Sequence, residues 1–539
     1  MAGLLSVETA DSAIDPALGA RGPVRRGPFG RRPRWIVAIS VVVAAVLLLP
    51  LVFLIMQARL VGGEELKRIL FRRLTLDLLR NTVELAVLVT AATAVLGVGA
   101  AWCIERTMLP GRRMWGVLIV LPAAVPDFIV GYAWHSIAPS LTGLKGAAIV
   151  MSLALYPLVY LPVAASLRRV DPALEETARS LGCGPWTTFR RVTLPQIRPA
   201  VLGGCLVVML ALLAEYGAFE ILNFQTFTTA VFTEFRVDQS AASALALVLV
   251  ALGIVVLTAE GFVAGRGRVS RSGPAAARPA GRRRLGKLLV PTLLLLTALV
   301  GLSLAVPIGT LIYWLAASQH STLPAAATLA SATFSTVKYA AAAAALSTVA
   351  ALPVALLSNA KRSRPLKVLE RSTLLIQSIP GVVVALTLVF FSVRYSYSLY
   401  QTWSLLVFAY ALLFFPLALV CIRGSAAQAP PRLAEMGRSL GRRPFAVLTR
   451  VTVPLIAPGL ISAFSLVFLS AVTELTATLV LVPTGTQTLS TQFWAYQTNT
   501  SYGAAAPYAA MIVAIAAVPS VVISFWFARR TGNAGAGLS

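Results

Sequence analysis

Twelve apolar runs, each long enough for a helix to cross a lipid bilayer, are the feature that most constrains the fold of this chain. Inside hydrocarbon a backbone must satisfy its own polar groups, so each run predicts a transmembrane helix. Charged residues make up only 12% of the sequence and the mean hydropathy is +0.81, which excludes a soluble globular protein. The runs lie at residues 35–57, 81–104, 114–136, 146–167, 199–223, 242–264, 288–316, 334–358, 368–393, 402–422, 457–483 and 507–528.

Basic residues cluster between these runs and predict the orientation of the chain. With the N-terminus in the cytosol, the segments on the cytosolic side hold 36 of the 46 Lys and Arg residues, as the positive-inside rule requires. The net charge of +26 therefore reports topology and not nucleic-acid binding. Residues 1–34 are predicted to be a basic cytosolic tail, and residues 529–539 a second cytosolic tail.

The segment 58–81 departs from this rule, because it would lie outside with six basic residues. Leu66, Ile69, Leu70 and Leu74 recur there at helical spacing, which predicts an amphipathic helix on the outer membrane surface. The alternative is that the first span is mis-oriented or absent.

An internal repeat divides the chain into two halves. "EETARSLGCGPWTTFRRVTLP" at 175–195 returns as "AEMGRSLGRRPFAVLTRVTVP" at 434–454, an offset of 259, and earlier in each half the offset is 254. Six spans separate the copies, so both lie on one side and the halves are predicted to be two parallel six-helix repeats. We place the first transmembrane domain at 35–264 with its loop at 168–198, and the second at 288–528 with its loop at 423–458. Residues 265–287, rich in Gly, Pro and Arg, are predicted to be a cytosolic linker.

Turn residues in the repeated loop predict its local structure. Pro172 suits the first turn of a short helix, Gly182 suits a left-handed terminator, and Pro185 suits the start of the next helix. Trp186 and Phe189 then lie one turn apart on one face. An aromatic side chain with an apolar neighbour on a basic cytosolic loop is typical of a docking surface for another protein.

These residues closely resemble the EAA loop of ABC-transporter permeases of the type I, binding-protein-dependent importers. The residues that match the motif are Glu176, Ala178, Gly182, Val192, Leu194 and Pro195 in the first copy, and Glu435, Gly441, Val451 and Pro454 in the second. The candidate ATPase-docking residues also include the apolar face of each loop, Trp186 and Phe189 or Phe445 and Leu448, and the variant positions Gly437 and Val453. Departures are Thr177 for an alanine, Met436-Gly437 for both alanines and Val453 for leucine, so a looser dock is expected for the second copy. The resemblance implies that each loop is a coupling helix seated on one of two separate ATP-hydrolysing subunits.

The resemblance covers residues 80–528, and the fused two-half form with "ELTATLVLVPTGTQTLSTQFW" at 474–494 is similar to ferric-iron transporter permeases. It implies an extracytoplasmic solute-binding protein as a further partner and the bacterial plasma (inner) membrane as the location. The thiamine and phosphonate permeases are the next most similar. The sequence holds no GxxxxGK[ST] loop, so ATP and Mg²⁺ are expected on the partner ATPase, with no cofactor on this chain and no enzyme activity of its own.

Two carboxylates, Glu215 and Glu474, fall inside the fifth and eleventh predicted spans at equivalent repeat positions. A charge at such a depth costs about 2.5–3.5 kcal/mol, so something must compensate it. They are candidate pathway residues for a hard cation at the seam between the halves, or partners in interhelical hydrogen bonds. Matched prolines at 126 and 380 suggest either helix breaks near a gate or ordinary kinks.

Glu84 and Lys338 match across the halves with opposite charges, and they are a candidate seam pair; unrelated positions near the outer interface are the alternative. No cluster of His or Cys with metal-ligand spacing occurs, so the metal site stays unknown. A secondary transporter of six-plus-six design would explain the repeat and the buried acids but would leave the repeated loop unused. A membrane enzyme would need a catalytic constellation that the sequence lacks.

Overall fold

The computed structural model describes residues 34–168, 170, 172–235, 237–264, 284–318, 323–358 and 379–518, and these residues form helices joined by short turns. Residues 1–33, most of the predicted linker and the tail 529–539 lie outside this described part. The helices of the first half are α1 (Arg34–Val61), α2 (Gly63–Leu70), α3 (Arg73–Arg106), α4 (Arg112–Leu118), α5 (Asp127–Ile137), α6 (Gly143–Leu167), α7 (Pro172–Ser180), α8 (Pro185–Thr188), α9 (Leu194–Ala214), α10 (Gly217–Ile221), α11 (Phe227–Glu234) and α12 (Gln239–Ala264). Those of the second half are α13 (Leu289–Val300), α14 (Val306–Ala317), α15 (Ala326–Ser358), α16 (Gly381–Tyr395), α17 (Trp403–Leu413), α18 (Phe415–Gln428), α19 (Pro431–Ser439), α20 (Pro444–Val447), α21 (Val453–Val472), α22 (Thr476–Leu481), α23 (Leu489–Thr498) and α24 (Tyr502–Val518).

Within the described residues, eight helices are long and apolar enough to cross a membrane, and ten if each of two bent pairs forms one span. The all-α polytopic prediction is therefore confirmed. The third predicted span is not straight, because the segment Arg112–Ala124 meets α5 at an angle of 91°. Pro126 precedes α5 directly, and its missing N–H and fixed φ suit this break.

The repeat is visible in the order and length of the elements. Each half contains a nine-residue helix, α7 or α19, then a four-residue helix, α8 or α20, that begins with proline. A five-residue π-turn follows in both, at Phe189–Thr193 and Leu448–Thr452, before the long helices α9 and α21. The local backbone of the two loops is thus the same.

The first span of each half, α1 in one and α13 with α14 in the other, packs against the opposite half. Helix α1 contacts α15 and α16, and α14 contacts α5. Side chains reinforce the second exchange, since the indole N–H of Trp314 donates to Ser136 Oγ at 3.2 Å, and the hydroxyls of Tyr156 and Ser303 are 3.4 Å apart. One buried apolar cluster includes residues from both halves.

The segment 58–81 differs from its prediction as a single helix on the membrane surface. Helix α1 continues to Val61, and the short α2 buries Ile69 against Ala241 and Ala244 at the start of α12. Leu74 belongs to α3 instead. The amphipathic face of α2 therefore packs on protein, which a helical periodicity alone cannot distinguish from packing on lipid.

Candidate functional site

Both repeated loops have a glycine with the left-handed backbone that their turns require. Gly182 has a φ of +80° and Gly441 a φ of +76°, and a Cβ at either position would meet no atom within 4 Å. Cys183 N–H donates to Ala178 O at 3.0 Å, and Arg442 N–H donates to Gly437 O at 3.3 Å, which closes both helix ends in the same way. The left-handed terminator predicted at Gly182 is confirmed, and Gly441 has the same local structure.

The first loop presents an apolar surface. The Trp186 side chain is 71% exposed and stacks on Phe189, with ring centroids 5.7 Å apart. Leu181 is also exposed, and Glu176, Gly182 and Pro195 accompany it at the surface; Ala178 and Phe189 are half-buried, and Leu194 is 36% exposed.

The second loop places equivalent residues at equivalent positions. Phe445 and Leu440 are exposed, with Gly441 and Pro454, whereas Glu435, Leu448 and Val453 are half-buried. A Cβ on Gly437 would approach Val447 Cγ2 to 3.3 Å, so the loop packs tightly at that point. Two matching apolar surfaces therefore lie on one chain.

A buried ion pair that the sequence did not reveal lies beneath the first loop. Arg106 Nη2 lies 3.3 Å from Glu175 Oε1, and these side chains are only 3% and 7% exposed. Thr193 Oγ1 donates to the same carboxylate at 2.7 Å. The sequence analysis chose Glu176, its exposed neighbour, because Glu176 occupies the glutamate position of the EAA motif. Arg106 was missed because a basic residue at the end of a span looks like an ordinary topology signal.

A second ion pair joins α3 to the end of α6. The guanidinium of Arg168 donates to the carboxylate of Glu105, and this hydrogen bond raises the pKa of Arg168 above its ordinary value. The end of α3 therefore has polar contacts both to α6 and to the first loop.

Glu215 and Glu474 lie at helix breaks and not inside continuous spans, which corrects the prediction. Glu215 Oε1 accepts the N–H of Ala218 at 2.7 Å, and Glu474 Oε1 accepts the N–H of Ala477 at 2.9 Å. Each carboxylate thus caps the short helix that follows it, α10 or α22, where free N–H groups and the helix dipole favour a negative charge. These hydrogen bonds offset part of the cost of burying a carboxyl group at this depth.

A third acid, Asp127 at the start of α5, also belongs to this region, and the sequence analysis did not single it out. The carboxylates of Asp127 and Glu474 both interact electrostatically with that of Glu215. Within the described ranges, no group of three His, Cys, Asp or Glu side chains is close enough to hold a metal ion.

The candidate seam pair is not brought together among the described ion pairs. Glu84 Oε2 lies 3.8 Å from Arg80 Nε on the same helix, and Lys338 Nζ lies 5.7 Å from the ring centroid of Trp403. Glu84 and Lys338 therefore each contact a residue of their own half.

Comparisons with known proteins agree with the duplicated architecture. The family model described as "binding-protein-dependent transport system inner membrane component" matches twice, at residues 72–266 and 347–531, which together make up more than half of the chain. The chain is 36% identical over 496 residues to the Fe(3+)-transport system permease protein FbpB 2 of Haemophilus influenzae, covering 91% of this chain and 97% of that protein.

Other relatives correspond to one half. The sulfate transport system permease protein CysT of Escherichia coli is 27% identical over 238 residues, 40% of this chain and 86% of the relative. The molybdenum transport system permease protein ModB of Escherichia coli is 26% identical over 202 residues, 32% of this chain and 86% of the relative. This chain belongs to the family of binding-protein-dependent transport system inner membrane components.

Proposed function

We propose that this chain is the transmembrane permease subunit of an ATP-binding-cassette importer that passes ferric iron from a binding protein across the bacterial plasma membrane. The observation that carries the proposal is the pair of loops with one backbone and matching exposed side chains, Trp186 and Phe445. Two such surfaces on one chain fit two ATPase subunits, which bind the ATP and Mg²⁺. Both loops, and with them both termini, are assigned to the cytosol, and the binding protein docks at the opposite end of the bundle.

The choice of ferric iron is supported by the similarity over 91% of this chain to an Fe(3+)-transport permease that has the same two-half length. The sulfate and molybdenum permeases match a single half at lower identity. A secondary transporter is disfavoured, because it would give the paired surfaces no role.

Glu215 and Glu474 form the proposed pathway region. Their hydrogen bonds fix the starts of α10 and α22, and their remaining oxygen atoms supply the hard ligands that a ferric ion prefers during passage. Ferric iron is cargo here and not a resident cofactor.

The test is ATP hydrolysis by the full chain, co-purified with its ATPase in lipid nanodiscs and supplied with loaded binding protein. The variant Gly182→Arg with Gly441→Arg adds a long charged side chain to both loop surfaces; no atom lies within 4 Å of either Cβ position, but the positive φ strains the loop backbone for arginine. We expect it to lose both ATPase association and stimulation. The matched variant Gly182→Asn with Gly441→Asn should retain them, because asparagine tolerates positive φ.

The outcomes separate the parts of the proposal. Stimulation by binding protein loaded with ferric iron, and not with sulfate, molybdate, thiamine or phosphonate, supports the cargo. Stimulation by another solute keeps the permease role and rejects iron. Solute movement along an ion gradient without any ATPase rejects the permease role and favours a secondary transporter.

A further inference from the structure

The first loop is connected to helix α3 through a continuous series of aromatic contacts. The exposed Trp186 stacks on Phe189, and Phe189 meets Trp102 of α3 edge to face at 4.8 Å between ring centroids. A force on the loop surface therefore reaches α3 through packed rings, which deform little.

The buried ion pair provides a second connection at the same end of α3. Arg106 is the last residue of α3, and Glu175 lies on α7, so the pair joins the two helices directly. Glu175 also accepts the hydroxyl of Thr193, in the π-turn beyond α8. Removing one partner would leave the other charge buried without compensation. The ion pair therefore fixes the position of α7 relative to the end of α3.

Helix α3 carries this connection to the opposite end of the bundle. There Thr82 Oγ1 accepts the N–H of Phe227 at 3.2 Å, and Asn81 Nδ2 donates to Gln225 O at 3.1 Å. Both partners lie in the segment that follows Glu215 and α10. One helix thus joins the first loop to the segment that follows the proposed pathway carboxylate.

The second half lacks the residues of this connection. At the positions equivalent to Glu175, Phe189 and Trp102 the sequence has Ala434, Leu448 and Leu356. The contact at the opposite end persists, since Thr336 Oγ1 accepts the N–H of Leu489 at 2.9 Å. The halves therefore share the far contact, and their sequences differ at these three positions.

We propose that Trp102, Arg106 and Glu175 are positioning residues that transmit the movement of the first loop into α3, and that the second loop serves chiefly to bind its ATPase. The inference rests on the proposed function, because it takes both loops to be ATPase-docking loops. It predicts that ATP-driven movement enters the membrane bundle unequally, mainly through the first half.

The experiment uses proteoliposomes that contain the chain and its ATPase, together with loaded binding protein. It measures the amount of ferric iron taken up per ATP hydrolysed. Glu175→Ala and Trp102→Leu give the first half the residues of the second. We expect each to lower the uptake ratio about tenfold, a typical coupling effect, while the amount of bound ATPase stays unchanged. Arg106→Glu combined with Glu175→Arg should restore much of the ratio.

Arg179→Ala is the matched control. Arg179 contacts the same carboxylate at 3.5 Å, but its side chain is 41% exposed, so its loss should leave the ratio unchanged. If Glu175→Ala prevents assembly, Glu175→Gln replaces it, because the amide keeps the hydrogen bond from Thr193 without the charge.

An unchanged ratio in assembled Glu175 and Trp102 variants would overturn the inference, as would an equal loss in Arg179→Ala. A purely structural role would reduce the amount of complex and leave the ratio of the remaining complex intact. Failure of the unmodified chain to bind any ATPase would instead overturn the proposed function, so the two failures are distinguishable.

Discussion

At the scale of single residues, the seam between the halves depends on the absence of a side chain at Gly217. A Cβ there would lie 2.6 Å from Leu475 Cδ2 and 2.8 Å from Phe128 Cβ. Leu475 belongs to the other half and directly follows Glu474. The glycine therefore lets the two proposed pathway carboxylates lie close to one seam.

We expect Gly217→Ala to destabilise the protein by about 1–3 kcal/mol, because the added methyl group overpacks this contact. Gly203→Ala in α9 is the control, since its Cβ would meet no atom within 4 Å. That change should stabilise the helix by about 0.5–1 kcal/mol. Thermal unfolding of the purified variants in detergent checks both signs, and an equal effect at the two sites would contradict the packing argument.

At the scale of elements, a capping box fixes the start of α23. Thr488 N–H donates to Thr491 Oγ1 at 3.1 Å, and Thr491 N–H donates to Thr488 Oγ1 at 3.3 Å. Helix α23 carries Phe493, whose ring packs on Phe128 and Tyr132 of the first half at 5.2 and 5.3 Å. Cap geometry thus determines how this helix meets the opposite half.

Thr488→Ala should cost about 0.5–2 kcal/mol, because the N–H of Thr491 loses its acceptor. Thr498→Ala is its counterpart in the same helix, since that hydroxyl is exposed and bonds only to preceding carbonyls of its own helix. Limited proteolysis within residues 483–488 should be faster in Thr488→Ala than in the unmodified chain, and unchanged in Thr498→Ala. Equal cleavage rates would show that the box does not hold α23.

At the scale of the whole molecule, the first span of each half covers the opposite half, so the halves depend on each other. Helix α1 covers α15 and α16, and α14 covers α5, so either half alone would expose apolar surface that the partner buries. The relatives that match a single half show that such units also occur as separate chains.

We therefore expect a chain cut within the linker, expressed as residues 1–275 and 276–539, to reassemble and to retain ATPase stimulation. The first fragment shortened to begin at residue 62 should recover far less partner, because α15 and α16 lose the helix that covers them. Co-purification through a tag on one fragment measures this. Equal recovery of both forms would mean that α1 contributes little to the assembly.

The sequence by itself determined the features that depend on neighbouring residues. Long apolar runs must become helices in hydrocarbon, and the internal repeat at 175–195 and 434–454 requires two similar halves. Gly182 and Pro185 specify the turn of the first loop through their own backbone preferences. The family follows from the same residues.

Only the tertiary structure decided which half α1 covers, how sharply the chain bends at Pro126, and that Glu175 is buried against Arg106 while Glu176 is exposed. It also placed Glu215 and Glu474 at helix breaks, where backbone N–H groups donate to their carboxyl oxygens. The physical reason is that a transmembrane helix is apolar on all sides. Its sequence therefore does not show which side contacts lipid and which side packs against another helix. Contacts between residues far apart in the chain then settle the arrangement.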